Sequence, residues 1–227
     1  MENQDDRLLG GKVQRVGHYK TELSLADVNV LYGIMLLRIS KGYAPNEVAF
    51  LMGLGSDPLG RFERLARKKI TIGMLIDILS ALGEKSLGSF ILFSSDVMVG
   101  DSFCHMVRTK RRKIIEHALY LLDSTGADRL MFKLFERNPD HLPFPQSEIQ
   151  KWDEIGKILD VELNVNWSVP KEPIEIYQHC CLLTELDIMP RHVMKVLGEM
   201  TSRSSYPKLL LNKSNEGRKI TYEKVTS

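Results

Sequence analysis

Three cysteines in 227 residues are too few for a disulfide framework. Cys104 stands alone and Cys180 and Cys181 are neighbours, so the count is odd and one pair is adjacent; reduced thiols in a cytoplasm are the expectation. Long apolar runs are missing too. The longest, Phe90-Ile91-Leu92-Phe93, falls far short of the ~20 residues that a membrane-spanning helix needs. The opening residues, MENQDDRLLGG, have neither the basic start nor the apolar stretch of a secretory signal, so neither export nor a membrane is expected. Charge of one sign is not in excess: 31 basic against 29 acidic residues give a net +2, so bulk charge points to no polyanionic partner. What is present is ordinary for a folded protein, 43% hydrophobic and 26% charged, enough to build a core.

Catalytic and metal signatures are also lacking. There is no Gly-x-Ser-x-Gly elbow for a nucleophile. Gly53, Gly55 and Gly60 do not fit a dinucleotide-binding spacing, and Gly83-Glu84-Lys85-Ser86 lacks the glycine and the order of a phosphate loop. His179, Cys180, Cys181 and His192 are close in sequence but lack the paired two-to-four spacing of a structural zinc site; Cys104, His105 and His117 fit it less well. Asp153 and Glu154 sit together on a polar helix face. The expectation is a protein that is not an enzyme and has no cofactor and no metal.

The apolar pattern is helical from Asp27, with Val28, Leu31, Ile34, Met35 and Ile39 at three- and four-residue steps and Gly42 as a left-handed cap. Three short helices are predicted next, over Pro45–Met52, Pro58–Lys68 and Ile72–Leu82. Pro45 and Pro58 suit first helical positions, and Asp57 and Thr71 suit N-caps. The apolar segment Leu87–Val99 reads equally as helix or strand. The basic run Arg108-Thr109-Lys110-Arg111-Arg112-Lys113 opens a pattern read as a helix through Leu122, and Asp128–Glu136 reads as another. This run suits a grip on a phosphate backbone or the exposed first turn of a helix. Three prolines within Asn138–Pro145 mark a loop or seam. A helix over Ser147–Leu159 precedes Val161, Leu163, Val165 and Trp167, whose alternation predicts a strand. Helices are predicted over Ile174–Leu186 and Arg191–Met200, then strands over Lys208–Leu211 and Lys219–Val225 around the turn Ser214-Asn215-Glu216-Gly217.

One motif is sharper. Two helices crossing at a tight turn need a small residue at the crossing, a glycine in the turn and apolar residues facing inward from the second helix. Ala49, Gly53 four residues later, the apolar Leu54, then Leu59 and Phe62 meet those demands, with Val48 and Met52 completing the first helix's stripe. In order, Arg38, Gly42, Glu47, Val48, Ala49, Gly53, Leu54, Leu59, Glu63 and Ala81-Leu82-Gly83 resemble the lambda-repressor/Cro-like (Xre) family of helix-turn-helix domains, over about fifty residues. The resemblance implies a compact bundle of four or five helices that binds double-stranded DNA as a dimer, its third helix in the major groove. Carried onto this chain, base contacts fall to Ser56, Asp57 and Arg61, Arg61 suiting the two acceptors of guanine. Phosphate contacts fall to Arg38, Arg64, Arg67, Lys68 and Lys69. The front of this reading helix departs from the family: Asp57 meets phosphate with like charge, and Gly60 offers no side chain.

The chain is therefore expected to be mainly α: an arm at 1–26, the helix-turn-helix domain at 27–86, a connecting segment at 87–107, and an α+β C-terminal domain at 108–227 ending in a β-hairpin. The C-terminal order of helix, strand, two helices and hairpin is one that winged-helix domains follow. It would place Arg191, Lys195, Lys213, Arg218 and Lys219 at a possible second DNA contact. Local charge is uneven: seven basic and four acidic residues from Leu36 to Gly83, three and seven from Glu136 to Glu162, and six and two from Arg203 to Lys224. The function expected is a DNA-binding transcriptional regulator acting by occupancy; the alternative is a protein-interaction module that keeps the helix-turn-helix fold without binding DNA.

Overall fold

The computed structural model describes residues 12–86, 88, 101–122, 128–141, 145–213 and 219–226. It is 44% helix and 30% strand, begins with a β-strand and contains a four-stranded antiparallel sheet, so the expectation of a mainly α chain with an N-terminal helical domain is corrected. The chain divides into two compact units, one of Met1–Ala44 with Pro58–His141, the other of Pro45–Asp57 with Leu142–Ser227.

The first unit is built on the sheet β1 (Val13–Ser24), β2 (Asp101–Arg111), β3 (Ile114–Leu122) and β4 (Asp128–Arg137), in that order and antiparallel throughout. Three helices belong to it: α1 (Leu25–Ser40), α3 (Pro58–Glu63) and α4 (Ile72–Ala81). The register aligns Tyr19, Met106, Leu119 and Phe132 across the four strands. Because side chains alternate along a strand, this row shares one face with the rows two positions away. Tyr32 of α1 lies with its ring centroid 5.1 Å from that of Phe132. Leu31, Ile34 and Met35 of α1, Leu59 and Phe62 of α3, and Ile78 of α4 are buried with them.

Three expectations change here. The arm is in part an edge strand, whose burial alternates through Gly17, Tyr19, Thr21 and Leu23, residue types too mixed to show an apolar period in the sequence. The stretch from the basic run to Leu122 is the end of β2 and the whole of β3. Asp128–Glu136 is a strand because Phe132, Leu134 and Glu136 turn inward at a spacing of two, against Leu119, His117 and Ile115. Its apolar residues also satisfy a helical template; pairing with β3, a long-range event, selects the strand. Most of Leu87–Val99 lies outside the described residues.

The second unit holds α2 (Pro45–Leu51), α5 (Pro145–Val165), α6 (Pro173–Leu183), α7 (Pro190–Thr201) and the hairpin of β5 (Lys208–Lys213) with β6 (Ile220–Val225). Of the strand expected at Val161–Trp167, Val161–Val165 is the end of α5 and Trp167 follows it, buried, its Nε1 donating to Tyr222 O at 3.2 Å. Ile155, Leu159 and Leu163 form a buried stripe at steps of four, while Val161 and Val165 are exposed. With that strand gone, so is the winged-helix order. The hairpin is present, although its turn at 214–218 lies outside the described residues. Val193, Val196, Leu197 and Met200 of α7 are buried, as are Val48, Ala49 and Leu51 of α2. The Gly53 carbonyl accepts from the Ile220 amide at 2.6 Å, tying the turn after α2 to β6.

The first four helices end alike, on a left-handed residue: Gly42 (φ 71°), Gly53 (φ 71°), Leu65 (φ 55°) and Gly83 (φ 67°). Gly42 and Gly53 take the roles that the sequence suggested, and Gly83 follows α4 in the same way. Leu65 is the exception. Its amide donates to Phe62 O at 2.9 Å and the next amide to Arg61 O at 2.8 Å, the two bonds of a Schellman cap. A left-handed leucine costs roughly 1–2 kcal/mol. Burial of the side chain, 5% exposed, contributes about 1.5–3 kcal/mol and outweighs that strain.

Candidate nucleic-acid interface

Beneath the candidate interface lies a buried ionic cluster in the sheet-bearing unit. Arg38, in the last turn of α1, is wholly buried. Its Nε and Nη2 donate to the two carboxylate oxygens of Glu63 at 2.7 and 2.8 Å. Its Nη1 donates to Tyr43 O at 2.5 Å and to Glu136 Oε2 at 2.6 Å. Glu136 Oε1 in turn lies 3.1 Å from His117 Nε2. Burial alone would lower the pKa of Arg38, but the carboxylates of Glu63 and Glu136 hold it above its ordinary value. Burial would raise Glu136; the hydrogen bond with His117 and the charge of Arg38 override this and hold it at about 2.

One guanidinium between two carboxylates leaves a negative charge to be answered. Arg108 answers it, its Nη2 standing 3.6 Å from Glu136 Oε1. The same side chain, 29% exposed, also lines a surface cleft of about 370 Å³. Four cations meet in that cleft: Arg15 from β1, Arg108 and Lys110 from β2, and Arg64 from the cap of α3. Tyr19, Ile115, Asn138 and Pro139 complete the wall, and the carboxylate present is Asp140, paired with Lys110. Gly17 forms part of the floor. A Cβ there would stand 2.7 Å from Tyr19 Oη, so glycine lets the tyrosine lie across the strand. Cations held in place by a sheet, one of them tethered from below, can bind a phosphate with little ordering cost.

The residues implied by the resemblance are scattered in burial. Arg61, Lys68 and Lys69 are exposed, and Arg64 and Arg67 are half-buried, Arg67 donating to Lys69 O at 3.1 Å. Arg38 is corrected: its guanidinium is fully engaged inside the core and cannot reach a phosphate. Ser56 is exposed and Asp57 half-buried; both belong to the helical unit, Arg61 to the sheet-bearing one. In α3, Pro58, Leu59, Gly60, Phe62 and Glu63 are buried, which leaves Arg61 as the side chain that the helix offers to solvent. The structure thus brings Arg64 together with Arg108 and Lys110 of the basic run, and does not gather the other predicted contacts.

The second set of predicted contacts lies in the helical unit. Arg191 is 3.6 Å from Glu47 Oε1 and 3.7 Å from Glu148 Oε2, and its amide donates to Glu47 at 2.9 Å. His192 is buried, accepting from the Met189 amide at 2.8 Å and meeting Glu148 at 2.7 Å, so it anchors the start of α7. Lys195 lies over the Trp152 ring at 4.3 Å and pairs with Glu199. Lys213 and Lys219 are exposed, and Arg218 lies outside the described residues.

Arg15, Tyr19 and Asn138 carry no sequence signal of their own. Arg15 and Tyr19 fall in what reads as an arm, and the sheet register alone brings them to Arg108. Among the described residues no three His, Cys, Asp or Glu side chains are placed to share a metal ion, and no helix is long and apolar enough to cross a membrane. No protein-family model, no curated protein and no solved structure matches this chain.

Proposed function

We propose that the protein binds double-stranded DNA and acts by occupancy as a transcriptional regulator. The observation that carries this reading is the cleft where Arg15, Arg64, Arg108 and Lys110 converge with one carboxylate among them. Phosphate contacts supply most sequence-independent affinity and fix the protein's register on the duplex. The resemblance of residues 37–83 to repressor-type helix-turn-helix domains adds to the reading, as does the exposed trio Arg61, Lys68 and Lys69. A dimer would double the contacts that one such surface makes.

The test is fluorescence anisotropy of the full chain with a random 30-base-pair duplex at about 50 and about 200 mM salt. Affinity is expected to fall steeply with salt, and the double variant Arg64→Ala/Arg108→Ala to flatten the log–log slope by about 2, near 0.9 per lost contact. No binding at low salt would sink the proposal. The burial of most of α3 favours a second reading, a helix-turn-helix retained for protein contact. An Arg61→Ala variant that leaves DNA affinity unchanged but abolishes capture of a protein partner would support it.

A further inference from the structure

The element that reads bases need not be the helix that the resemblance names. α3 offers one exposed side chain, Arg61, and its front is Pro58 and Gly60, both buried. At the far end of β2, by contrast, the chain turns through Arg111, Arg112 and Lys113 into β3. Arg112 and Lys113 are exposed. Arg137, paired with Ile114 at the start of β3, is exposed beside them.

This tip is held rather than loose. Asn138 is 2% exposed and its Nδ2 donates to Arg111 O at 2.9 Å and Arg112 O at 3.2 Å. Its backbone amide donates to Lys113 O at 2.8 Å. Its Oδ1 accepts from the Asp140 amide at 3.2 Å, so the residue that staples the tip also walls the cleft. The carbonyls of Arg111, Arg112 and Lys113 each have a donor, and the side chains of Arg112 and Lys113 are exposed.

Dimensions fit a duplex. Arg112 is four residues beyond Arg108, about 13 Å at ~3.3 Å per residue, close to four base-pair steps of ~3.4 Å. Cleft and tip therefore address different nucleotides. The turn is flanked by β1, whose Val13 pairs with Arg111, and by β4, whose Arg137 pairs with Ile114, so its exposed side chains rather than the strands themselves are what can reach into a major groove about 12 Å wide. An arginine at the turn can span guanine's O6 and N7, whereas the lysine is a point charge.

Resting on the DNA reading above, we propose that Arg112, at the β2–β3 turn, reaches into the major groove of bound duplex DNA as the base-reading side chain, with the cleft as its phosphate anchor. Arg112 is exposed at a turn, so its loss leaves the core intact.

Full-length wild type, Arg112→Ala, Arg61→Ala and Arg64→Ala would each be taken through selection from a random-duplex library, with affinities then measured on the wild-type winner and on the unselected pool. Wild type is expected to enrich a motif containing guanine. Arg112→Ala is expected to bind the pool within about threefold of wild type but to lose about tenfold of the preference for the winner. Arg64→Ala is expected to weaken both duplexes alike and to keep the motif. Enrichment of the same motif by Arg112→Ala at the wild-type ratio, loss of the motif in Arg61→Ala instead, or wild-type binding with no motif at all would each overturn the hairpin's role. Failure of wild type to bind any duplex would instead overturn the DNA reading on which it rests.

Discussion

In the sheet-bearing unit a guanidinium with no exposed surface sits between two carboxylates; in the helical unit the corresponding interior is filled by Val193, Val196, Leu197 and Met200. The surfaces differ as well. The first unit has 20 basic and 15 acidic residues, the second 11 and 14, so a net +5 and a net −3 combine into the nearly neutral whole. Neutral composition thus conceals segregation. The ionic core and the basic cleft are also joined through Glu136, which satisfies Arg38 on one side and holds Arg108 on the other. In the helical unit Arg203 pairs with Asp160 at 2.5 Å nearer the surface, and the buried charged groups Glu47 and His192 meet partly exposed partners, Arg191 and Glu148.

The strongest way to break this comparison is to place a methionine in each interior. Arg38→Met strands Glu63 and Glu136 as buried carboxylates, and a loss of about 3–5 kcal/mol is expected in urea unfolding. Leu197→Met, at an equally buried position of the helical unit, conserves volume and chemistry and should cost less than about 1.5 kcal/mol. Equal losses would show that the ionic cluster carries no special weight.

Acid sharpens the same contrast. The folded value of Glu136, about 2, lies below its ordinary 4.5, so its contribution is complete above pH 4.5 and disappears as pH falls toward 2. That difference corresponds to roughly 3 kcal/mol. Urea unfolding of wild type and Glu136→Gln across this window should show the gap between them closing by about that amount; a constant gap would mean that the carboxylate does not titrate with folding. Glu148 and Glu162 of the helical unit are also held low, against the pull of burial, by His192 and His179, so the comparison with the variant and not the acid limb itself is diagnostic.

Smaller effects separate the two surfaces. Lys213→Ala/Lys219→Ala, in the helical unit, should leave the salt slope of duplex binding unchanged while Arg64→Ala/Arg108→Ala lowers it by about 2; a shared decrease would extend the interface to both units. Leu65→Gly relieves roughly 1–2 kcal/mol of left-handed strain but gives up about 1.5–3 kcal/mol of burial, so a net loss near 1 kcal/mol is expected by thermal melting. A stabilised variant would reverse that ordering. Lys195→Ala, which removes an exposed cation over Trp152, should cost no more than about 1 kcal/mol.

The sequence by itself determined what is local. The helices around residues 27–82 follow from three- and four-residue apolar steps, Thr71 caps α4 by accepting from Met74 N at 3.2 Å, and Gly42, Gly53 and Gly83 take the left-handed angles that only glycine adopts freely. The basic run at 108–113 was visible as charge. What it was part of was not. A strand's period of two is satisfied by the same residues that fit a helix when the segment is short and rich in leucine and phenylalanine, as Asp128–Glu136 is. The partner strand decides, and that partner is distant in the chain. Continuity decided the reverse case, where Ile155, Leu159 and Leu163 carried α5 through residues that alternate. The tertiary structure alone brought Arg15, Arg64 and Arg108 to one cleft and took Arg38 out of reach, because burial and convergence depend on register across the sheet, which no single segment encodes.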